Sequence, residues 1–462
     1  MRAAVTSLLS HALGQVAYRV SGLVLIAMYA SALGPEKFGR IEQLLALSLL
    51  LVPVLSMQAY EAFLTSYSKD AVQATSSAVT IILAGSGIAA VLCVLVVCLF
   101  PADRLVSIYF TILVVSTMAW QFFRNTLRVK QAWGELVKCE VIQAMASLAT
   151  GCLLLKAGFG ISGALLAIAA GNIIASVLVL VSTSGPRMIL RYASVSESSI
   201  RKMLAISGRL VPNVVLWWGI ELSDRLLLAH FLGDAAVGLY SAGVRVASML
   251  MALSLLLYQA WQIRAIHALN ENSSDFFKVT FKWYVLAISV CASMLIVALA
   301  PLSRLLFGEQ YSNSLLYSSV LIPAFLLAAI CYFFGIIYYS ADRKQSALKA
   351  SLSGLVVSVG INIIFIPILG IIAAAWATFF AYLVMASIRY FEIKSTLGKF
   401  IRWSGLVLPF GIITLQSIAF YMGAKPPVLA IGAAVIIIAS HKDIIMMLGS
   451  LKDTISRTSG HP

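Results

Sequence analysis

Apolar runs of 18 to 25 residues recur along nearly the whole of this 462-residue chain. Each is long enough to cross about 30 Å of hydrocarbon as an α-helix. Fourteen are predicted, centred near residues 22, 53, 88, 114, 148, 171, 220, 250, 289, 327, 359, 380, 412 and 434. A barrel is excluded, because barrel strands are short and alternate apolar with polar side chains. The expected fold class is therefore all-α, a polytopic membrane protein with about 14 transmembrane helices. Composition agrees: 61% of residues are hydrophobic and 11% charged, where soluble domains carry about a quarter charged. The longest connection, near residues 183–205, is too short for a soluble domain and is predicted to form a surface helix.

A net charge of +15 would point to nucleic acid in a soluble protein, but in a polytopic one the placement of Lys and Arg reports orientation. Alternate connections, counted from the N-terminal segment, carry 23 basic residues, among them Arg124, Arg128, Lys130 and Lys138; the others carry 6. That bias places both termini in the cytoplasm, fits an even number of spans and removes the reason to invoke nucleic acid. Four basic residues, Arg19, Arg209, Arg225 and Arg245, lie instead in or at the edges of predicted helices.

Several chemistries find no residues to carry them. The six cysteines sit inside apolar runs as small hydrophobes, and the five histidines form no cluster with metal-ligand spacing, so neither metal nor cofactor is expected. No G-x-x-x-x-G-K-[ST] loop occurs, which excludes nucleotide hydrolysis by a P-loop. Ala30-Ser31-Ala32 imitates a signal-peptidase site, but Arg19 interrupts the run before it and the residues beyond it recur later in the chain.

That recurrence is an internal repeat. LGPEKFG at 33–39 matches LGDAAVG at 232–238, RVKQ at 128–131 resembles DRKQ at 342–345, and GISGALLA at 160–167 resembles GIIAAAWA at 370–377. The matches keep their order at nearly one spacing. The unit holds six helices, an even number, so both copies enter the membrane from the same side and form a parallel repeat. The expected organisation is a six-helix bundle over residues 1–195, a second over 196–395, and two further helices with a cytoplasmic tail over 396–462.

Three stretches, ALGPEKFGRIE after the first helix, GISGALLAIAAGN in the sixth, and SDRLLLAHFLGDAAVGLYSAGVRVA across the seventh and eighth, resemble the polysaccharide flippases of the multidrug/oligosaccharidyl-lipid/polysaccharide exporter superfamily. The resemblance spans helices one to twelve, through short motifs. It implies transfer of an undecaprenyl-diphosphate-linked sugar unit across a bacterial inner membrane, for O-antigen, capsule or exopolysaccharide assembly. The partners it implies are that lipid-linked oligosaccharide, membrane lipids, and the polysaccharide polymerase and chain-length proteins.

The candidate binding residues are the charges that a membrane span should avoid. In the seventh predicted helix, about Leu210 to Leu232, Glu221 lies roughly 17 Å from either end at 1.5 Å per residue, too far to snorkel. Arg225 follows four residues later on the same face. An intrahelical ion pair would lower the insertion penalty of about 2.5–3.5 kcal/mol for each charge; alternatively, the face lines a wet cleft and offers Arg225 to a diphosphate. Arginine suits that ligand, because its fixed fork meets phosphate oxygens two at a time. Arg19 and Arg245 lie about 10 Å inside helix ends, and the resemblance places their helices at the central cavity. Arg124 and Arg264 sit at cytoplasmic helix ends, where they are either orienting charges or the first groups a diphosphate meets. Glu61 is a further acid near the cytoplasmic end of helix two. Trp217, Trp218, Tyr258 and Trp261 are available to stack on sugar rings, Pro53 could hinge helix two, and Pro212 either hinges helix seven or sits in its first turn.

Two rival functions remain. A multidrug and toxin extrusion exporter would favour carboxylates for cationic cargo, and a membrane-embedded glycan enzyme would need acidic or histidine residues on sizeable external loops, which are very short here.

Overall fold

The computed structural model describes residues 2–68, 70–99, 103–182, 196–255, 257, 274–340, 344–397 and 404–439. Within these, the side chains of 2–19, 274–276, 336–340, 344–346, 394–397, 404–406, 437 and 439 lie outside the description. Among the described residues the secondary structure is entirely helical. Hydrocarbon supplies no partner for backbone N–H and C=O groups, so each span must satisfy them internally.

Contacts divide the chain into two compact units, one of Thr6–Arg225 and the other of the chain from Leu226 onward, with which the first few residues of α1 are grouped. The first contains α1 (Arg2–Leu55), α2 (Ala59–Ser66), α3 (Ala71–Leu99), α4 (Arg104–Val129), α5 (Trp133–Lys156), α6 (Gly160–Ser182), α7 (Glu197–Ser207) and the start of α8 (Val211–Leu232). Helix α6 packs on α4 and α5, and α3 packs on α4. Small residues permit the closeness: a side chain at Gly171 would overlap Ser147 and the Gln143 carbonyl, and Gly151 faces Leu25 and Tyr29. Tyr29 donates its hydroxyl to the Gly151 carbonyl at 3.1 Å and joins a core of Leu25, Ile41, Ala164 and Ala167.

The first two expected spans are joined in α1, which bends at Gly34 (φ 77°, ψ 171°). Only glycine populates that region readily, and Pro35 then occupies the opening of the next helical stretch, where its missing N–H costs nothing. Further on the helix is interrupted at Ser56–Gln58, where Met57 (φ 48°) and Gln58 (φ 53°) both take left-handed conformations. Helix α2 restarts beyond the break and packs on α3, α4 and α7.

The second unit continues α8 and adds α9 (Asp234–Ala247), α10 (Ser274–Phe307), α11 (Ser314–Ser340), α12 (Lys344–Leu369), α13 (Ile372–Leu397), α14 (Ser404–Tyr421) and α15 (Pro426–Ala439). Helix α11 contacts α9, α10, α13 and α14, and α12 lies against α13. Gln416 stitches three elements together: its Oε1 accepts from Ser293 Oγ at 2.6 Å and its Nε2 donates to the Leu429 carbonyl at 2.7 Å.

The internal repeat has a counterpart in the backbone. Gly233 (φ 83°, ψ 173°) repeats the conformation of Gly34, each at the junction between two apolar helices. Gly160 and Gly370 likewise both have positive φ at the starts of α6 and α13.

Ten helices among the described residues are long and apolar enough to cross a membrane, or up to eleven if the bent pair Glu197–Ser207 and Val211–Leu232 is one span. The expected count of fourteen is not reached by this measure, for physical reasons. The bend at Gly34 leaves the first two expected spans within one continuous helix, and the apolar helices Val407–Tyr421 and Pro426–Ile436 are shorter than a full span. The protein is a multi-pass membrane protein.

Candidate functional site

Helix α8 carries its charges at mid-length, and the first unit folds around them. Arg225 is 4% exposed, Asp224 1%. The Arg225 Nη1 donates to the Glu221 backbone carbonyl at 2.9 Å and lies 3.8 Å from Glu221 Oε2; its Nη2 lies 3.5 Å from Glu42 Oε2. Glu42, contributed by α1, is itself 1% exposed. The i, i+4 pair legible in the sequence is thus present, and the sequence reading missed the third member. Glu42 opens an apolar run, and nothing in a linear pattern says which helix will face it. Charges in this setting are costly unless paired, and here two carboxylates, Glu42 and Glu221, flank one guanidinium.

A second cluster lies at the end of α4. Arg124 Nε donates to Glu140 Oε1 at 3.0 Å, and Glu140, on α5, is 1% exposed. Arg128, one turn on, donates through Nη1 to Asn125 Oδ1 at 3.2 Å. Asn125 is buried and held in turn, its Nδ2 donating to the Tyr60 carbonyl of α2 at 2.7 Å. Arg124, Glu61 and Glu140 all act electrostatically on Arg128. The break at Ser56–Gln58 restarts the helix so that Tyr60 and Glu61 open α2 beside α4.

The remaining candidates are scattered. Arg245 is half-buried in the last turn of α9, in the second unit. The side chain of Arg19 lies outside the described residues, as do Arg264, Tyr258 and Trp261. Trp217 and Trp218 are partly buried on α8, and Arg209 is exposed between α7 and α8. Pro212 occupies the first turn of α8. Pro53 precedes the break, and its carbonyl accepts from Gln58 N at 3.0 Å.

One buried cation escaped the sequence reading. Arg389 was counted among the loop charges, yet it is 4% exposed, with Nη1 donating to the Cys331 carbonyl at 2.7 Å and Nη2 to Ser351 Oγ at 3.4 Å. The apolar stretch on its N-terminal side, Ala381 to Ile388, was the signal. Among the described residues no group of three or more His, Cys, Asp or Glu is placed to hold a metal ion.

The family described as polysaccharide biosynthesis protein matches residues 4–262, which include both charged clusters. Among curated proteins none matches this chain. Among solved structures, a lipid II flippase, MurJ, in an inward closed conformation is similar at a TM-score of 0.71 and 13% identity, over 94% of this chain and 99% of that one. An inward-facing multidrug resistance MATE family transporter of the MOP superfamily is similar at 0.69 and 14% identity, over 84% and 98%. A MOP superfamily transporter from Pyrococcus furiosus, whose binding pocket is described as reversed in polarity, is similar at 0.58 and 14% identity, over 85% and 95%. At these identities the likeness is one of fold, and the fold is that of MOP-type transporters.

Proposed function

Because the chain belongs to the polysaccharide biosynthesis protein family, we propose that it flips undecaprenyl-diphosphate-linked oligosaccharide repeat units from the cytoplasmic to the periplasmic leaflet. The route is alternating access with a cationic central cavity. The carrying observation is the guanidinium of Arg225, buried at mid-span between carboxylates of two helices within the residues that the family matches. A diphosphate carries at least two negative charges, and an isolated ion entering a low-dielectric medium costs tens of kcal/mol. Polar groups at mid-span supply the hydrated passage that lowers this barrier.

In this reading Arg19, Arg124, Glu221, Arg225, Arg245 and Arg264 contact the substrate, and Arg225 exchanges its carboxylate partners for phosphate oxygens. Residues 1–195 and 196–395 act as the two moving halves, with 396–462 appended. The protein is a transporter rather than an enzyme. It sits in a bacterial inner membrane with both termini in the cytoplasm, and polymerase and chain-length proteins consume what it delivers.

Proteoliposomes holding a fluorescent undecaprenyl-diphosphate oligosaccharide test the reading. Wild-type protein is expected to expose the label to an external quencher faster than protein-free vesicles, and R225A, inserted to the same level, to lose that transfer. Absence of transfer by the wild type overturns the proposal; equal transfer by R225A removes Arg225 from it.

One observation favours a second reading. The excess of carboxylates around Arg225 suits a cationic cargo better than an anionic one, as in an ion-coupled multidrug exporter. Efflux of a cationic dye by the same proteoliposomes, with no movement of the lipid, would select it.

A further inference from the structure

We propose that Arg124 and Arg128 form a diphosphate clamp on α4, separate from the mid-span cluster, that loads the headgroup before transfer. The proposal rests on the flippase reading for its ligand and on local geometry for its site. A guanidinium has five N–H donors in a fixed fork. Arg124 spends only its Nε, on Glu140, and Arg128 only its Nη1, on Asn125. Among the described residues no other hydrogen bond or ion pair engages either side chain. The terminal nitrogens of Arg124 therefore remain available, and its side chain keeps 20% exposure. Arg128 is half-buried in the same way.

Both forks are held in place. Glu140 is 1% exposed and holds Arg124 through its Nε, which leaves the two terminal nitrogens for a ligand. Asn125 cannot rotate away from Arg128 without losing its own bond to the Tyr60 carbonyl. Such buttressing removes the ordering cost that flexible arginines otherwise bring to binding.

Charge and spacing identify the ligand class. Glu61 and Glu140 balance the two arginines in formal charge, so the pair tolerates partial burial without an anion. They do not balance it in hydrogen bonds, because one carboxylate contact and one amide contact leave most of the donors unused. Residues four apart on a helix have Cβ atoms about 5–6 Å apart. Each fork can then take one phosphoryl group, with the bridging oxygen between them. A monophosphate occupies one fork and gains little from the second.

Equilibrium binding of labelled undecaprenyl diphosphate to the full chain in phosphatidylcholine nanodiscs tests this, with undecaprenyl monophosphate and inorganic pyrophosphate as parallel ligands. Wild type is expected to bind the diphosphate lipid at least about 10-fold more tightly than the monophosphate. R128Q, which removes the fork and gives up a single hydrogen bond to the Asn125 amide, should lose about 10-fold or more. R128K, which keeps the charge but not the fork, should fall between. R124Q alone strands buried Glu140, so the paired change R124Q/E140Q is used, and it too should lose the preference. Competition by pyrophosphate assigns the site to the diphosphate itself, and failure to compete assigns it to the lipid as well.

Diphosphate binding unchanged in R128Q and R124Q/E140Q overturns the clamp, as does equal affinity for the monophosphate. Arginine-dependent binding without lipid transfer in the vesicle assay would leave the clamp standing and remove the flippase reading. Transfer that depends on Arg225 but not on Arg124 or Arg128 would do the reverse.

Discussion

Arg225 on α8 and Glu42 on α1 approach to 3.5 Å with side-chain exposures of 5% and 1%. Breaking a buried pair from one side leaves a charge without its counter-ion and typically costs about 3–5 kcal/mol. R225Q should therefore destabilise strongly and E42Q comparably, whereas the neutral double variant E42Q/R225Q should recover much of the loss. Thermal unfolding in detergent across the four members of this cycle measures the coupling. Additive losses would show that the two side chains are near each other without depending on each other.

The shared conformation of Gly34 and Gly233 makes a second prediction. With ψ near 180° at positive φ, both sit where any Cβ is strained, at a cost of order 1–3 kcal/mol. Around Gly233 nothing lies within 4 Å of an added methyl group, so the cost of G233A should be conformational alone. The expected outcome is that G34A and G233A lower the unfolding midpoint, with G233A losing no van der Waals complementarity that a compensating small residue nearby could restore. Equal stability of G233A and wild type would mean that the junction relaxes into another turn.

Gln416 binds α14 to α10 and α15, and Gly432 lies directly beneath it: an added Cβ would fall 2.4 Å from Gln416 Cδ. Hydrogen bonds between transmembrane helices average about 0.6 kcal/mol with a maximum near 1.7. Q416L should accordingly cost roughly 0.5–2 kcal/mol and raise hydrogen exchange in α15 more than in α13. G432A should be damaging in the wild-type background and milder in Q416A, where the space it needs has been vacated. Identical effects in both backgrounds would refute the steric reading.

What the sequence disclosed follows from what a linear pattern can encode. The helices were legible because a lipid span imposes its own length, and the Glu221–Arg225 pair was legible because both members lie on one face of one helix. Glu42 was not, since only tertiary packing brings α1 to Arg225. Arg128 and Arg389 were absorbed into a count of orienting charges, which records the end of a helix but not whether the side chain turns inward. The break at Ser56–Gln58 was marked only by the hinge expected at nearby Pro53, not by its own residues. Ser-Met-Gln-Ala contains neither Gly nor Pro, and its left-handed residues are held by their surroundings rather than chosen for their propensity.

Those surroundings give the last prediction. Helix α3 presses Gly85 against the strained segment, so that a Cβ at this position would lie 2.1 Å from the Leu55 carbonyl oxygen and 2.8 Å from its carbon. Both are backbone atoms, with no flexible side chain to swing aside. Gly87, two residues further along the same helix, has nothing within 4 Å. If the break is maintained by this close approach, G85A must either push α3 away or move the Leu55 carbonyl and with it Met57 and Gln58. The expected loss is of order 1–3 kcal/mol, the range for overpacking a tight contact, while G87A should be neutral or slightly stabilising through helix propensity. Because α2 carries Tyr60, whose carbonyl anchors Asn125, G85A should also loosen Arg128 from a distance. Diphosphate binding should weaken in G85A and not in G87A. A G85A protein that loses stability but keeps full affinity would show that the strained segment and the arginine pair are mechanically independent.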